Sequence, residues 1–255
     1  MKDIPAVLLN GARGASQLPG EFRRSQNWIG GTRPGNALFV PPPVDRLMEC
    51  LGDFEHFLHE ERLPVHIKTG IAHVQFETIH PFLDGNGRLG RLLIPLLLCA
   101  QGLLDEPVLY LSLYLKKNWQ VYYDLLQEVR TYGAWETWLE FFLPGVCETS
   151  KQAVETAQKI KSLFIQDADK ISRLGRARFS CEKVLEYMKR LPQATVPLLE
   201  KELQMTAPTA RSALTHMTSV GILEEVSGKK RGKVYVYRKY LDALEEGTEP
   251  FGADK

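Results

Sequence analysis

The chain has 255 residues, of which 44% are hydrophobic and 25% charged, and its formal net charge is +1. This is the mix of one or two ordinary globular domains, and it excludes a global field drawing the chain to nucleic acid or to a membrane surface. The first residues, Met1 to Pro5, lack the apolar core of a signal peptide, and the most apolar run, Leu92 to Ala100, is too short to cross a bilayer.

Cys50, Cys99, Cys147 and Cys181 are far apart and form no zinc-type pair, which fits a cytoplasmic protein with free thiols. Ile4 to Asn10 reads as the end of a helix, and Gly11, Gly14, Pro19 and Gly20 mark a loop after it. Between Ile29 and Val40, two short apolar arms flank a Gly/Pro/Asn turn, which predicts a hairpin. Pro41 to Pro43 is a stiff, extended connector. Leu47, Met48, Leu51, Phe54 and Leu58 place a helix over Val44 to Glu61, and Pro64 opens a second over Val65 to Ile79. His59, His66, His73 and His80 recur every seven residues. Zinc ligands on a helix want a spacing of four, so core or capping histidines are the better reading.

The stretch His80-Pro81-Phe82-Leu83-Asp84-Gly85-Asn86-Gly87-Arg88-Leu89-Gly90-Arg91 organises the rest. Gly85, Asn86 and Gly87 tolerate backbone conformations closed to most residues, and their successive amides form an anion nest. An apolar run at helical spacing follows, so the nest sits at a helix N-terminus, where free N–H groups and the dipole favour phosphate. Arg88 and Arg91 share one face of the first turns, a place where cations need an anion to hold them. Asp84 would repel phosphate unless a magnesium ion stands between them. His80 can accept a proton near neutral pH. Taken singly, these are turn, loop and surface residues; the chemistry rests on their order and spacing.

At every fixed position this stretch resembles the signature of the Fic family, H-P-F-x-[D/E]-G-N-G-R-x-x-R. The resemblance implies AMPylation: transfer of AMP from ATP to a Ser, Thr or Tyr hydroxyl of a protein. By position, His80 would be the base, Asp84 the Mg2+ ligand, Leu83 to Gly87 the phosphate loop, and Arg88 and Arg91 the clamp on the distal phosphates. The segment Ile29, Gly30, Gly31 resembles the family's flap, which holds the target by strand addition; a plain surface hairpin is the alternative. Gly87 stands where the phosphorylating Doc branch has Lys, which argues for AMP. Phe76 and Glu77 also fit the family pattern, with Glu77 supporting the loop rather than reacting. The family's inhibitory pattern, [S/T]-x-x-x-E-[G/N], has no match, and Fic domains normally start further upstream. A form without self-inhibition, prone to modify itself, is the expectation; AMP removal normally needs the missing Glu.

Beyond the motif, Leu89 to Gln101 is a central helix, and an aromatic-rich helical region runs to Arg130. Tyr122 or Tyr123 lies where the resemblance places an adenine-side tyrosine. Trp135, Trp138, Phe141 and Phe142 read as core, and Glu148 to Ile171 as a long helix. Helices over Cys181–Arg190, Val196–Leu203 and Ala207–Val220, then alternating segments at Ile222–Val226 and Lys233–Tyr237 around a basic turn, read as a winged helix-turn-helix. Thr209, Arg211, Ser212 and Thr215 face outward on its recognition helix. Residues 176–240 carry 13 basic and 6 acidic side chains, a footprint compatible with DNA, or with a protein-docking or dimerisation module.

The expected architecture is thus mainly α: a Fic-type helical bundle with a small β-hairpin flap over residues 1–145, a helical connector over 146–175, a small α+β winged-helix domain over 176–245 and a flexible tail over 246–255. The implied partners are ATP, magnesium, a protein with an accessible hydroxyl, DNA through residues 206–240, and a second copy of the chain. The rival function is a DNA-binding regulator whose Fic portion senses nucleotide, or transfer of a different nucleotide moiety.

Overall fold

The computed structural model describes residues 20–107, 109–229 and 231–246. The expected helix end at Ile4–Asn10, the loop residues Gly11 to Pro19 and the tail beyond Glu246 lie outside them. The chain forms two compact units, Met1–Lys151 and Gln152–Lys255. Among the described residues, no helix is long and apolar enough to cross a membrane. The architecture is mostly helical, with a small three-stranded antiparallel sheet.

In the first unit, α1 (Leu47–Leu58) is amphipathic and buries Leu47 and Phe54. Helix α2 (Val65–Ile79) is buried on almost every face because it packs against α1 on one side and α3 (Asn86–Ala100) on the other. Phe54, Phe76, Ile79, Phe82 and Leu89 fill the α1–α2 side. Val74, Ile94, Leu98, Trp138 and Phe142 fill the other, and each such side chain contributes about 1.5–3 kcal/mol. The core is completed by α4 (Leu111–Lys117) and α5 (Trp119–Tyr132), which divide the aromatic region at Asn118.

Helix α3 starts at Asn86, earlier than the apolar spacing implies. Gly85 adopts a left-handed conformation (φ 83), which turns the chain onto the helix axis, and Leu89 N–H already donates to its carbonyl at 3.0 Å. The flap region is also less regular than a hairpin. Ile29 and Phe39 form one antiparallel bridge, and a 3-10 turn occupies Pro34–Asn36. The Asn36 carboxamide accepts from the Thr32 and Arg33 amides at 3.0 and 2.9 Å, which diverts backbone donors from a strand ladder. Helix α6 runs unbroken from Trp135 to Ser172 through Pro144, and the boundary between the units falls inside it.

The second unit contains the C-terminal part of α6, α7 (Arg178–Arg190), α8 (Val196–Leu203), α9 (Ala207–Ser219) and α10 (Arg238–Glu245), the last without a forecast in the pattern. Thr195 and Thr206 cap α8 and α9 by accepting from the amides of Leu198 and Thr209. Strands β1 (Gln193–Ala194), β2 (Glu224–Glu225) and β3 (Tyr235–Val236) pair in the order β1-β3-β2, and Val236 stands opposite both Gln193 and Glu224. The two strands read from alternation are therefore shorter than expected, and a third, β1, joins them. Cys181, Met188, Leu199, Leu214 and Met217 form the core. Asp167 is buried beneath them and accepts a 2.6 Å bond from the Tyr237 hydroxyl.

Candidate active site

The ends of α2 and α3 meet at the loop Pro81–Gly85. His80 caps α2 in a left-handed conformation (φ 50, ψ 60) that a residue with a Cβ rarely adopts. Three contacts hold it there. Its own amide donates to Phe76 O at 3.0 Å, and its carbonyl accepts from Arg23 Nε at 3.1 Å and Asn27 Nδ2 at 3.5 Å.

The ring of His80 is fixed as well. Its Nδ1 lies 3.3 Å from the Glu77 carbonyl, which can only accept, so the proton is assigned to Nδ1. That leaves Nε2 with a lone pair. Burial pushes the imidazole pKa down to about 4, helped by the Arg130 and Arg23 charges, against the Glu77 hydrogen bond and Asp84. The neutral, basic form is therefore the resting form at neutral pH.

The loop is shaped by Asn86. This side chain is buried, accepts from the Phe82 amide at 2.9 Å and donates to the Phe82 carbonyl at 2.8 Å. Its side chain is thus spent on scaffolding, and what α3 presents outward is backbone. The first-turn amides of Asn86 and Gly87 have no carbonyl behind them in the helix. Of Gly85, Asn86 and Gly87, only Gly85 has positive φ; the other two are already helical. Leu83 is exposed at the turn. Asp84 is half exposed, caps the Gly85 amide at 2.6 Å and stands 3.6 Å from Arg88 Nη2. An exposed pair at that distance contributes little to stability. One carboxylate beside a phosphate nest is a donor set that fits magnesium, which uses one or two carboxylates plus substrate phosphates. No cluster of three or more His, Cys, Asp or Glu exists among the described residues that would cage a metal by itself. The seven-residue histidine stripe accordingly divides, with His59 and His66 exposed and His73 buried.

Several residues around this site carry no local sequence signal. Arg23 is buried, its amide donates to Pro81 O at 2.9 Å, and its Nη2 reaches the Pro42 carbonyl. Gln26 donates to Pro41 O at 2.9 Å and Asn27 to Phe82 O at 3.0 Å. Together they tie both ends of the flap to the motif loop. Arg130 of α5 donates to the Glu77 carbonyl at 3.0 Å and lies 4.3 Å from the centre of the Phe39 ring. Gln127 holds the Leu38 carbonyl at 3.2 Å. Ile29, Gly30 and Gly31 form the near arm and tip of the flap, with Leu38 exposed on the other arm. Of the tyrosine pair, Tyr122 is buried and donates at 2.9 Å to His73 Nε2, whose Nδ1–H is held by Gly90 O. Tyr123, with its ring at the surface, is the member of the pair open to a ligand.

Residues 1–98 match the family model described as Fic/DOC family. The protein adenylyltransferase Fic of Drosophila grimshawi is 41% identical over 87 residues, which are 32% of this chain and 16% of that protein. The protein of the same name from Aedes aegypti is 38% identical over 112 residues, 42% of this chain and 20% of that one. The chain thus spans no more than a fifth of these two relatives. A crystal structure of a Fic family protein from Desulfovibrio desulfuricans G20 superposes with a TM-score of 0.50 at 22% identity, covering 88% of this chain and 64% of that one. It shows likeness of fold.

Proposed function

From the premise that the chain carries a Fic domain, we propose that it transfers AMP from ATP to a Ser, Thr or Tyr hydroxyl of a target protein, and of itself, releasing pyrophosphate. The observation that carries this reading is His80: one ring nitrogen fixed on Glu77 O, the other a free base, held directly ahead of the open N-terminus of α3. The names of the two relatives agree with it.

The reaction divides among the chain's own groups as follows. The first turn of α3 takes the α- and β-phosphates on backbone amides, and Arg88 and Arg91 take the distal ones. Asp84 would hold magnesium, which supplies neutralisation of phosphate charge when bound. The flap residues Ile29 to Gly31 align the target segment by main-chain pairing, and Tyr123 lies on the adenine side. His80 Nε2 takes the hydroxyl proton as the oxygen forms a bond to the α-phosphorus. The bond from that phosphorus to the bridging oxygen of pyrophosphate breaks in line, and the leaving charge falls on the amides and arginines. The cytoplasm is the compartment this reading assigns, where the free thiols of Cys50, Cys99, Cys147 and Cys181 stay reduced.

The test is incubation of the full chain with Mg·ATP labelled at the α- or the γ-phosphate, with His80→Ala as control. Protein label from α alone, reduced ~10²–10⁴-fold in the variant while ATP still binds, is the expected result. Label from γ alone, or full labelling of His80→Ala, overturns it.

A second reading is favoured by a groove in the second unit. Val196, Pro197 and Glu200 of α8, Arg211 and Thr215 of α9, and Arg231 and Lys233 of the turn before β3 line a cavity of about 510 Å³. Three cations against one carboxylate suit a phosphate strand lying between a recognition helix and a wing. In this reading residues 206–240 form a winged helix that binds DNA, and the Fic domain senses nucleotide. A mobility shift that responds to ATP, without label transfer, selects it over the first.

A further inference from the structure

Of the two arginines at the start of α3, Arg88 stands by Asp84, and the structure contains a second anion near Arg91. Glu77, on the last turn of α2, is only 6% exposed, and its Oε1 has no hydrogen-bond partner among the described residues. A buried carboxylate oxygen without a partner costs free energy and calls for a reason. It lies against the first turns of α3. A Cβ on Gly90 would stand 2.3 Å from Oε1, and one on Gly87 would stand 3.8 Å from it. Arg91 Nη1 approaches the same Gly87 position to 3.2 Å. Arg91 is therefore folded back along α3 toward its first turn, and the two glycines leave room for the carboxylate that faces it.

We propose that Glu77 is a positioning residue for the phosphate site: its carboxylate draws the Arg91 guanidinium back beside the Gly87 amide, so that the clamp is set before nucleotide arrives. The inference rests on the reading of the α3 N-terminus as the site of the ATP phosphates.

The charge environment supports it. Arg91 of α3 and Arg130 of α5 both pull on Glu77, while burial works the other way and brings its pKa up to about 7. The other titratable neighbours stay neutral. His73, from α2, is spent on Gly90 O and Tyr122, and its pKa is down to about 4; burial holds the Tyr122 phenol, from α5, well above its ordinary range. The charge on Glu77 is therefore present above pH 7 and lost below it. The grip on nucleotide should weaken as pH falls from 8 to 6.

The experiment is calorimetric binding of Mg·ATP to the full chain, with His80→Ala throughout to stop turnover. Glu77→Gln, Arg91→Ala and the double variant are compared at pH 8 and pH 6. Coupled neighbours change affinity together rather than additively. At pH 8, Glu77→Gln should weaken binding roughly tenfold on its own and change nothing when Arg91 is already Ala. The affinity of the parent should drop at pH 6 and that of Glu77→Gln should not, while Glu77→Asp, which keeps the charge, should retain the drop. An equal loss from Glu77→Gln in both backgrounds, tighter binding by Glu77→Gln, or an unchanged pH response in that variant overturns the inference alone. Full affinity in Arg91→Ala overturns the phosphate-site reading, and this one with it.

Discussion

His73 lies on α2 and His80 at its C-terminal cap, and burial brings both down to a pKa of about 4. They differ in what remains free. His73 has both nitrogens engaged, by Gly90 O and the Tyr122 hydroxyl, and serves the core. His80 has one engaged and one open. In the proposed reaction it must be unprotonated to act as base. At saturating Mg·ATP, where the weaker grip of low pH is overcome, the rate of AMP transfer should therefore hold level down to about pH 5 and fall as pH approaches 4; a pH–rate profile checks this. The same shifts act on stability. Both imidazoles bind a proton more weakly folded than unfolded, so the stability they contribute is present above pH 6.5 and lost as pH falls toward 4. Glu77 has the opposite sign: with its pKa raised to about 7, the folded form gains stability as pH falls from 7 to 4.5. Each shift is equivalent to about 3 kcal/mol, so Glu77 offsets roughly one histidine. In Glu77→Gln the acid loss between pH 7 and 5 should be about twice that of the parent. Trp28, Trp119, Trp135 and Trp138 all belong to the first unit, so tryptophan fluorescence in a denaturant titration follows that unit alone. Equal acid losses in parent and variant would remove this assignment of signs.

The site is made where elements end, and the flap is the least regular of them. Gly31 sits at its turn with φ +67, and a Cβ there would meet the Asn36 carbonyl at 2.3 Å. Gly31→Ala must therefore open the turn. It should raise the KM for a protein target on the order of tenfold, since a strained backbone of this kind costs about 1–3 kcal/mol, while ATP affinity stays unchanged. A parallel loss of ATP affinity would mean that the turn supports the phosphate loop rather than the target. How much of this was legible in sequence depends on how contiguous each part is. His80 to Arg91 reads at once because loop, cap and first turn follow each other along the chain. Arg23 and Arg130 reach the C-terminal end of α2 across 57 and 53 residues, and nothing in their own neighbourhoods marks them. Asn36 is invisible for another reason: alternation of apolar residues proposes a hairpin, and one carboxamide takes the amides that the ladder needs. Most helices were legible from apolar spacing, and β2 and β3 from alternation, whereas β1 was not, because two residues are too few to show a period.

At the scale of the molecule, a net charge of +1 conceals an uneven distribution. Helix α9 has no acidic residue, and its exposed face carries Thr209, Arg211, Ser212 and Thr215, beside Arg231 and Lys233. If this groove takes DNA, Arg231→Glu with Lys233→Glu should weaken duplex binding and flatten its salt dependence by about 0.9 per lost phosphate contact, leaving AMP transfer as it was. Binding by the variant with the salt slope of the parent would turn the groove into a site for something other than nucleic acid. The first unit contains a different division. Arg23, Gln26 and Asn27 fasten the flap at its two ends, on Pro41 and Pro42 and on His80 and Phe82, and none of these contacts uses a side chain from the segment they enclose. With Phe39 kept for its contact with Arg130, the segment from Trp28 to Val40 is therefore an interchangeable cassette. If the chain transfers AMP as proposed, a foreign flap grafted between Asn27 and Pro41, with Phe39 kept, should redirect it to a new target with the chemistry intact, so that choice of target and catalysis are free to evolve separately.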